Sequence, residues 1–125
     1  MESNKDKYYV HPDSVLRFSP MDGVETALLT GMSGESMMLA LTTIQPGYEV
    51  PEHKHPQEQI GIVQAGKARM KIGGKERVIE KGEVCIFPSN VPHSAKALGD
   101  KPFVMLDIFH PVREDFIAMA KKQNS

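Results

Sequence analysis

The residues that could do chemistry fall in two spaced groups. The first is Gly47-x5-His53-x-His55-x3-Gln59-x6-Gly66 and the second is Gly82-x5-Pro88-x-Asn90-x2-His93. His53 and His55 are two apart, so in an extended chain both imidazoles point to one face, and Gln59 shares their parity. His93 follows Pro88 and Pro92 and enters another extended run. Two neighbouring imidazoles, a third from elsewhere and an amide oxygen suit a divalent transition metal. A His-x-His pair alone is a weak signal; two glycine frames with a third histidine in register are a stronger one. His11 and His110 lie outside the pattern and read as ordinary polar residues.

The glutamine bears on the chemistry. With a neutral amide in place of a carboxylate, the ion keeps more positive charge and is the better Lewis acid toward a bound oxygen. That favours proton-transfer, lyase or isomerase chemistry over oxidation. A second pair lies in the tail. From Phe103 to Phe109 one strand face carries Phe103, Met105, Asp107 and Phe109, which leaves Asp107 a carboxylate among apolar neighbours. Such a group needs a partner, water or a proton, and it can act as a general acid or base. Arg113 is six residues on, about 20 Å away if the strand continues. The two share a pocket only if the chain folds back at His110-Pro111; Arg113 could then clamp a substrate carboxylate.

Strands must position these groups. Short apolar or β-branched runs alternate with glycine and proline turns: Val15–Phe18, Val24–Thr30, Ser36–Ile44, Glu58–Gln64, Lys67–Ile72, Glu76–Ile79, Val84–Phe87, Ser94–Leu98 and Pro102–Phe109. Many short strands with regular turns predict an all-β sandwich or barrel. Glu58–Gln64 and Lys67–Ile72 are expected to form a hairpin about Ala65-Gly66. Residues 1–12 read as an N-terminal arm. Residues 111–122 read as a helix, with proline first, acids in the first turn and lysines in the last. The whole of 1–125 reads as one domain.

Composition narrows the class. Fifteen basic against sixteen acidic residues leave a net charge of −1, which excludes a general electrostatic grip on nucleic acid or an anionic membrane. No apolar stretch is longer than Met37–Leu41, which is far too short for a membrane span. The polar N-terminus shows no signal peptide, and the lone Cys85 cannot form an internal disulfide, so a cytoplasmic protein is expected. Cys85 reads as a buried, inert thiol. Met37–Leu41 and Phe103–Leu106 are apolar on both strand faces. A single barrel buries one, so a homodimer is expected.

The two spaced groups resemble the two motifs of the cupin superfamily. Three departures stand out: Gln59 where that family usually has Glu, Asn90 where it has Gly, and Ala97 where it has Asn. The resemblance implies a double-stranded β-helix (jelly-roll) barrel with one divalent ion on His53, His55, Gln59 and His93; Ni, Zn, Mn, Fe and Co stay open. His53-Lys54-His55-Pro56-Gln57-Glu58-Gln59, with the tail segment Asp107 to Phe116, is similar to the small pectin- and alginate-degradation cupins that convert 4,5-unsaturated uronates to linear keto forms. That similarity implies catalytic Asp107 and Arg113, a pocket-lining Phe109 and a carboxylated sugar as substrate. A metal-dependent dioxygenase and a non-enzymatic binding module remain the alternatives.

Overall fold

The computed structural model describes residues 8–125. It contains ten strands and one α-helix: β1 (Arg17–Met21), β2 (Val24–Leu28), β3 (Met38–Ile44), β4 (Glu49–His53), β5 (Glu58–Ala65), β6 (Lys67–Ile72), β7 (Lys75–Glu80), β8 (Val84–Phe87), β9 (His93–Leu98), β10 (Phe103–His110) and α1 (Glu114–Gln123). Two antiparallel sheets, ordered β1-β2-β3-β10-β5-β8 and β4-β9-β6-β7, face each other as an all-β jelly roll. Of the expected arm, residues 1–7 lie outside the described residues; a short 3-10 turn, Pro12–Ser14, follows.

Period-2 alternation builds the core. In β10 every odd residue from Phe103 to Phe109 is buried and the even ones are half-buried. The inward residues of both sheets meet as one cluster, including Ile44, Val63, Met70, Phe87, Phe103 and Met105. Each large apolar side chain so buried contributes about 1.5–3 kcal/mol. A second cluster, with Phe18, Met38 and Phe109, takes Phe116 and Ala120 of α1. The amide of Gln123 accepts from the Ser19 N–H (2.8 Å) and donates to the Ser19 carbonyl (2.9 Å). It thereby occupies part of the open edge of β1.

Three expectations need correction. Glu58–Gln64 and Lys67–Ile72 are not a hairpin, because β5 pairs with β10 and β8 while β6 pairs with β7 and β9. The chain crosses between sheets at Gly66, whose φ is +75°. A Cβ there would lie 2.3 Å from the Pro102 carbonyl oxygen. The hairpin lies one turn later, at Gly73-Gly74 between β6 and β7. Strand β4 was not foreseen; its Glu-Val-Pro-Glu-His sequence has one apolar side chain besides proline, and β9 supplies its order by pairing. The helix begins at Glu114 rather than at residue 111, because Arg113 has extended backbone (φ −87°, ψ 95°).

The outer faces differ. The four-stranded sheet is charged outside, with Arg69–Glu76 (3.2 Å) and Lys71–Glu52 (3.9 Å) pairs. The six-stranded sheet carries two apolar rows across four strands: Leu41-Leu106-Ile62-Val84 and Leu39-Ile108-Ile60-Ile86. Val84 and Ile86 are about 60% exposed (59% and 61%). The tail helix packs with Phe18, Met38 and Phe109 at the inward face and does not cover these rows.

Candidate metal centre

His53 closes β4, His55 lies in the turn to β5, Gln59 points inward from β5, and His93 opens β9 opposite His53. Pairing brings them together: imidazole centroids are 4.4 Å apart for His53–His93 and 4.9 Å for His55–His93. The three histidines each offer a ring nitrogen, all within 4.8 Å of one another. Asn90 adopts left-handed backbone (φ 61°), as its place in the turn requires. Its N–H donates to the His55 carbonyl at 2.8 Å.

The hydrogen bonds decide which atoms face the centre. Nδ1 of His53, His55 and His93 lies 2.9, 3.0 and 2.9 Å from the backbone carbonyls of Pro51, Gln57 and Val91. A carbonyl only accepts, so each Nδ1 carries the proton and each neutral Nε2 presents a lone pair. Gln59 Nε2 donates to Asp107 Oδ1 at 3.0 Å, which turns Gln59 Oε1 toward His55 Nε2, 3.1 Å away. In these tautomers both atoms of that contact are acceptors. Two lone pairs held face to face with no proton between them are stabilised by a cation, so the donor set fits a divalent transition metal. Burial, and then the Arg113 charge, lowers the His55 pKa. Burial lowers that of His93 to about 4. Both histidines are therefore in the neutral, ligating form at pH 7.

Asp107 and Arg113 line the same cavity as His53, His93, Gln59 and Phe109. Asp107 is 3% exposed and also accepts from Thr42 Oγ1 at 2.8 Å. Burial raises its pKa to about 7 against the opposing pull of these hydrogen bonds and Arg113. The chain does fold back at His110-Pro111. Arg113 is buried with its guanidinium carbon 3.9 Å from the Phe116 ring centroid, and Nε and Nη2 donate to Asp115 at 3.0 and 2.8 Å. This leaves the Nη1 edge for another anion. Phe109 stands beside His55 (5.7 Å between centroids).

Three residues of this site were not foreseen. Thr42 shares inward parity with Ala40 and Ile44, so a hydroxyl on an apolar face was its signal. Asp115 lies in the tail segment that carries the resemblance, but taken by itself it reads as an ordinary acid in a helix's first turn. Gly61 sits within a strand run, a mark of close approach by another group; it leaves the space that Met105 and Asp107 fill. Cys85, as expected, is buried, and burial pushes its thiol pKa up. Ala97 lies in the core and offers no ligand.

Known proteins share this fold. A cupin domain profile matches residues 40–109. The H2HPP isomerase of Bacillus subtilis is 32% identical over 80 residues, 63% of this chain; the chain spans about a third (34%) of that relative's length. The structure of KdgF from Halomonas sp. superposes with a TM-score of 0.78 at 22% identity, covering 86% of this chain and 98% of the other. A predicted oxalate decarboxylase from Thermotoga maritima superposes at 0.72 with 26% identity, covering 82% and 98%. With more than half its length matched, and both histidine motifs and the jelly roll in place, the chain belongs to the cupin family.

Proposed function

We propose that this chain is a metal-dependent enzyme that moves a proton on a small oxygen-rich carboxylic acid. The observation that carries the reading is the cluster of three histidines, two of which line one cavity with Gln59, a buried carboxylate and a half-committed arginine. His53, His55, Gln59 and His93 would hold one divalent ion, which when bound supplies Lewis-acid polarisation of a substrate oxygen. Arg113, fixed on its other edge by Asp115 and Phe116, orients a substrate carboxylate through Nη1. Asp107, with a pKa near neutrality, takes up or gives the proton. Phe109 walls the cavity and helps to exclude water.

The tail segment makes 4,5-unsaturated uronate the first substrate to assay, and the jelly roll shared with KdgF supports that choice. Conversion to the linear keto form by metal-loaded protein, lost in Asp107→Asn and Arg113→Ala with metal content and melting temperature retained, would support both that substrate and the catalytic roles. Full activity in both variants, or loss of fold and metal together, would overturn the catalytic roles. Oxygen consumption by the Fe(II) form would point instead to a dioxygenase, and tight binding without turnover to a binding module.

The apolar rows on the six-stranded sheet support a homodimer through that face. The unpaired Cys85 supports a reducing compartment, the cytoplasm. Among the described residues no helix is long and apolar enough to cross a membrane.

A further inference from the structure

The cavity has a volume of about 310 Å³ and two unlike ends. One end holds His53, His93, Gln59, Asp107 and Arg113. The wall beyond is built from both sheets by Val24, Ile44, Met70, Phe103 and Met105. The register explains why. Thr42 pairs with Thr26 and Met105, and Ile44 with Val24 and Phe103, so the inward positions beyond the threonine pair are apolar. Thr42 already donates to Asp107, which leaves the Thr26 hydroxyl as the polar group of this wall. Ser94 and Glu52 are the other polar side chains that line the cavity away from Asp107 and Arg113.

This wall bears on the ligand. Each ligand hydroxyl that leaves water without finding a partner lowers affinity by roughly ten-fold. A polyhydroxylated acid brings several such groups against a wall with few polar groups to offer. An apolar ring or branched chain loses nothing there and gains from leaving water. We infer that the ligand is a small carboxylic acid with an apolar body, its carboxylate at the Arg113 end and its hydrocarbon against Ile44, Met70, Phe103 and Met105. The inference rests on the carboxylate-and-metal reading above and replaces a sugar-like body by hydrocarbon.

The test is calorimetric titration of the nickel-loaded chain with propanoate, 3-phenylpropanoate and galacturonate. These share a carboxylate and differ in body. The expected order is 3-phenylpropanoate at least ten-fold tighter than propanoate, the effect of burying about 60 Å² of apolar ligand surface, with galacturonate no tighter than propanoate. Val50→Thr, a nearly isosteric change at a half-buried wall residue, should narrow the preference several-fold with its melting temperature retained. Equal binding of 3-phenylpropanoate and propanoate, or tighter binding of galacturonate, overturns the inference. Arg113→Ala separates the two levels: it should weaken every acid. If it weakens none, the carboxylate reading fails; if it weakens galacturonate as the tightest ligand, that reading stands and the apolar body alone is refuted.

Discussion

Gly61 offers a direct test of how packing supports the site. Nine of the ten glycines have positive φ and Gly61 does not, so its role is space and not backbone freedom. A Cβ there would lie 2.5 Å from Met105 Sδ, 3.0 Å from Met105 Cε and 3.1 Å from Asp107 Oδ1. Ordinary contact begins at 3.4 Å. In Gly61→Ala the sulfur must therefore retreat by 0.9 Å (3.4 − 2.5), whereas the carboxylate gives by a few tenths. Met105 is 6% exposed, and overpacking such a site costs about 1–3 kcal/mol. Alanine returns about 0.4–1 kcal/mol through the unfolded chain. The net loss is about 1–2 kcal/mol, or roughly 4–8 °C in Tm for a chain of this size. Urea and thermal unfolding would measure it. Met105→Ala alone should cost about 2–5 kcal/mol, but the double variant should cost less than the sum by about 1 kcal/mol, because the sulfur has gone. Metal content should stay near one ion per chain in Gly61→Ala, since the Asp107–Gln59 bond survives. Wild-type stability in Gly61→Ala, or strict additivity in the double variant, would refute the reasoning.

Metal analysis of chain purified without chelator should find near one ion, and His53→Ala with His93→Ala should remove it; unchanged content would end the assignment. Because burial holds His55 and His93 below the usual histidine pKa, metal retention should persist below pH 6.5. In metal-free protein His93 binds fewer protons folded than unfolded, so the stability it contributes above pH 6.5 is lost as pH falls toward 4, at most about 3 kcal/mol. Asp107 works in the opposite direction: its raised pKa means stability is regained as pH falls from 7 toward 4. Relative to wild type, unfolding curves of His93→Gln and Asp107→Asn should therefore tilt with opposite sign over this range; tilts of the same sign would contradict both assignments. Gly66→Ala should be far worse than Gly61→Ala, losing about 3 kcal/mol or more, since its Cβ would strike backbone and not a flexible side chain; Gly74→Asn, with nothing within 4 Å and a residue type that tolerates its φ of +82° better than most, should cost under about 1 kcal/mol in the same melts. Sedimentation should find a dimer at micromolar concentration, and Ile108→Lys on the apolar row should yield a folded monomer; a wild-type monomer would reject the interface.

Periodicity and residue type alone determined most of the strands, the tail helix and the inward face of Phe103–Phe109. They did so because those properties are local: a period of two sorts side chains by face whatever the partner strand is. Spacing likewise pointed to His53, His55, Gln59 and His93, since turns of set length between glycines leave few ways to place the residues they frame. Pairing lay beyond this. Nothing near Ala65-Gly66 says that the chain changes sheets there, because the partners that pull β5 and β6 apart, β10 and β9, begin only at Phe103 and His93. Strand β4 has too little apolar content to declare itself and is ordered by β9. The orientation of the site was also tertiary. Each imidazole's tautomer is set by a carbonyl two residues away, which is local, but the Gln59 amide is turned by Asp107, 48 residues on. That carboxylate is held in turn by Thr42 and accommodated by the missing side chain of Gly61. Residue types named the donors; only the packed barrel decided which way their lone pairs face and how apolar the space beside them is.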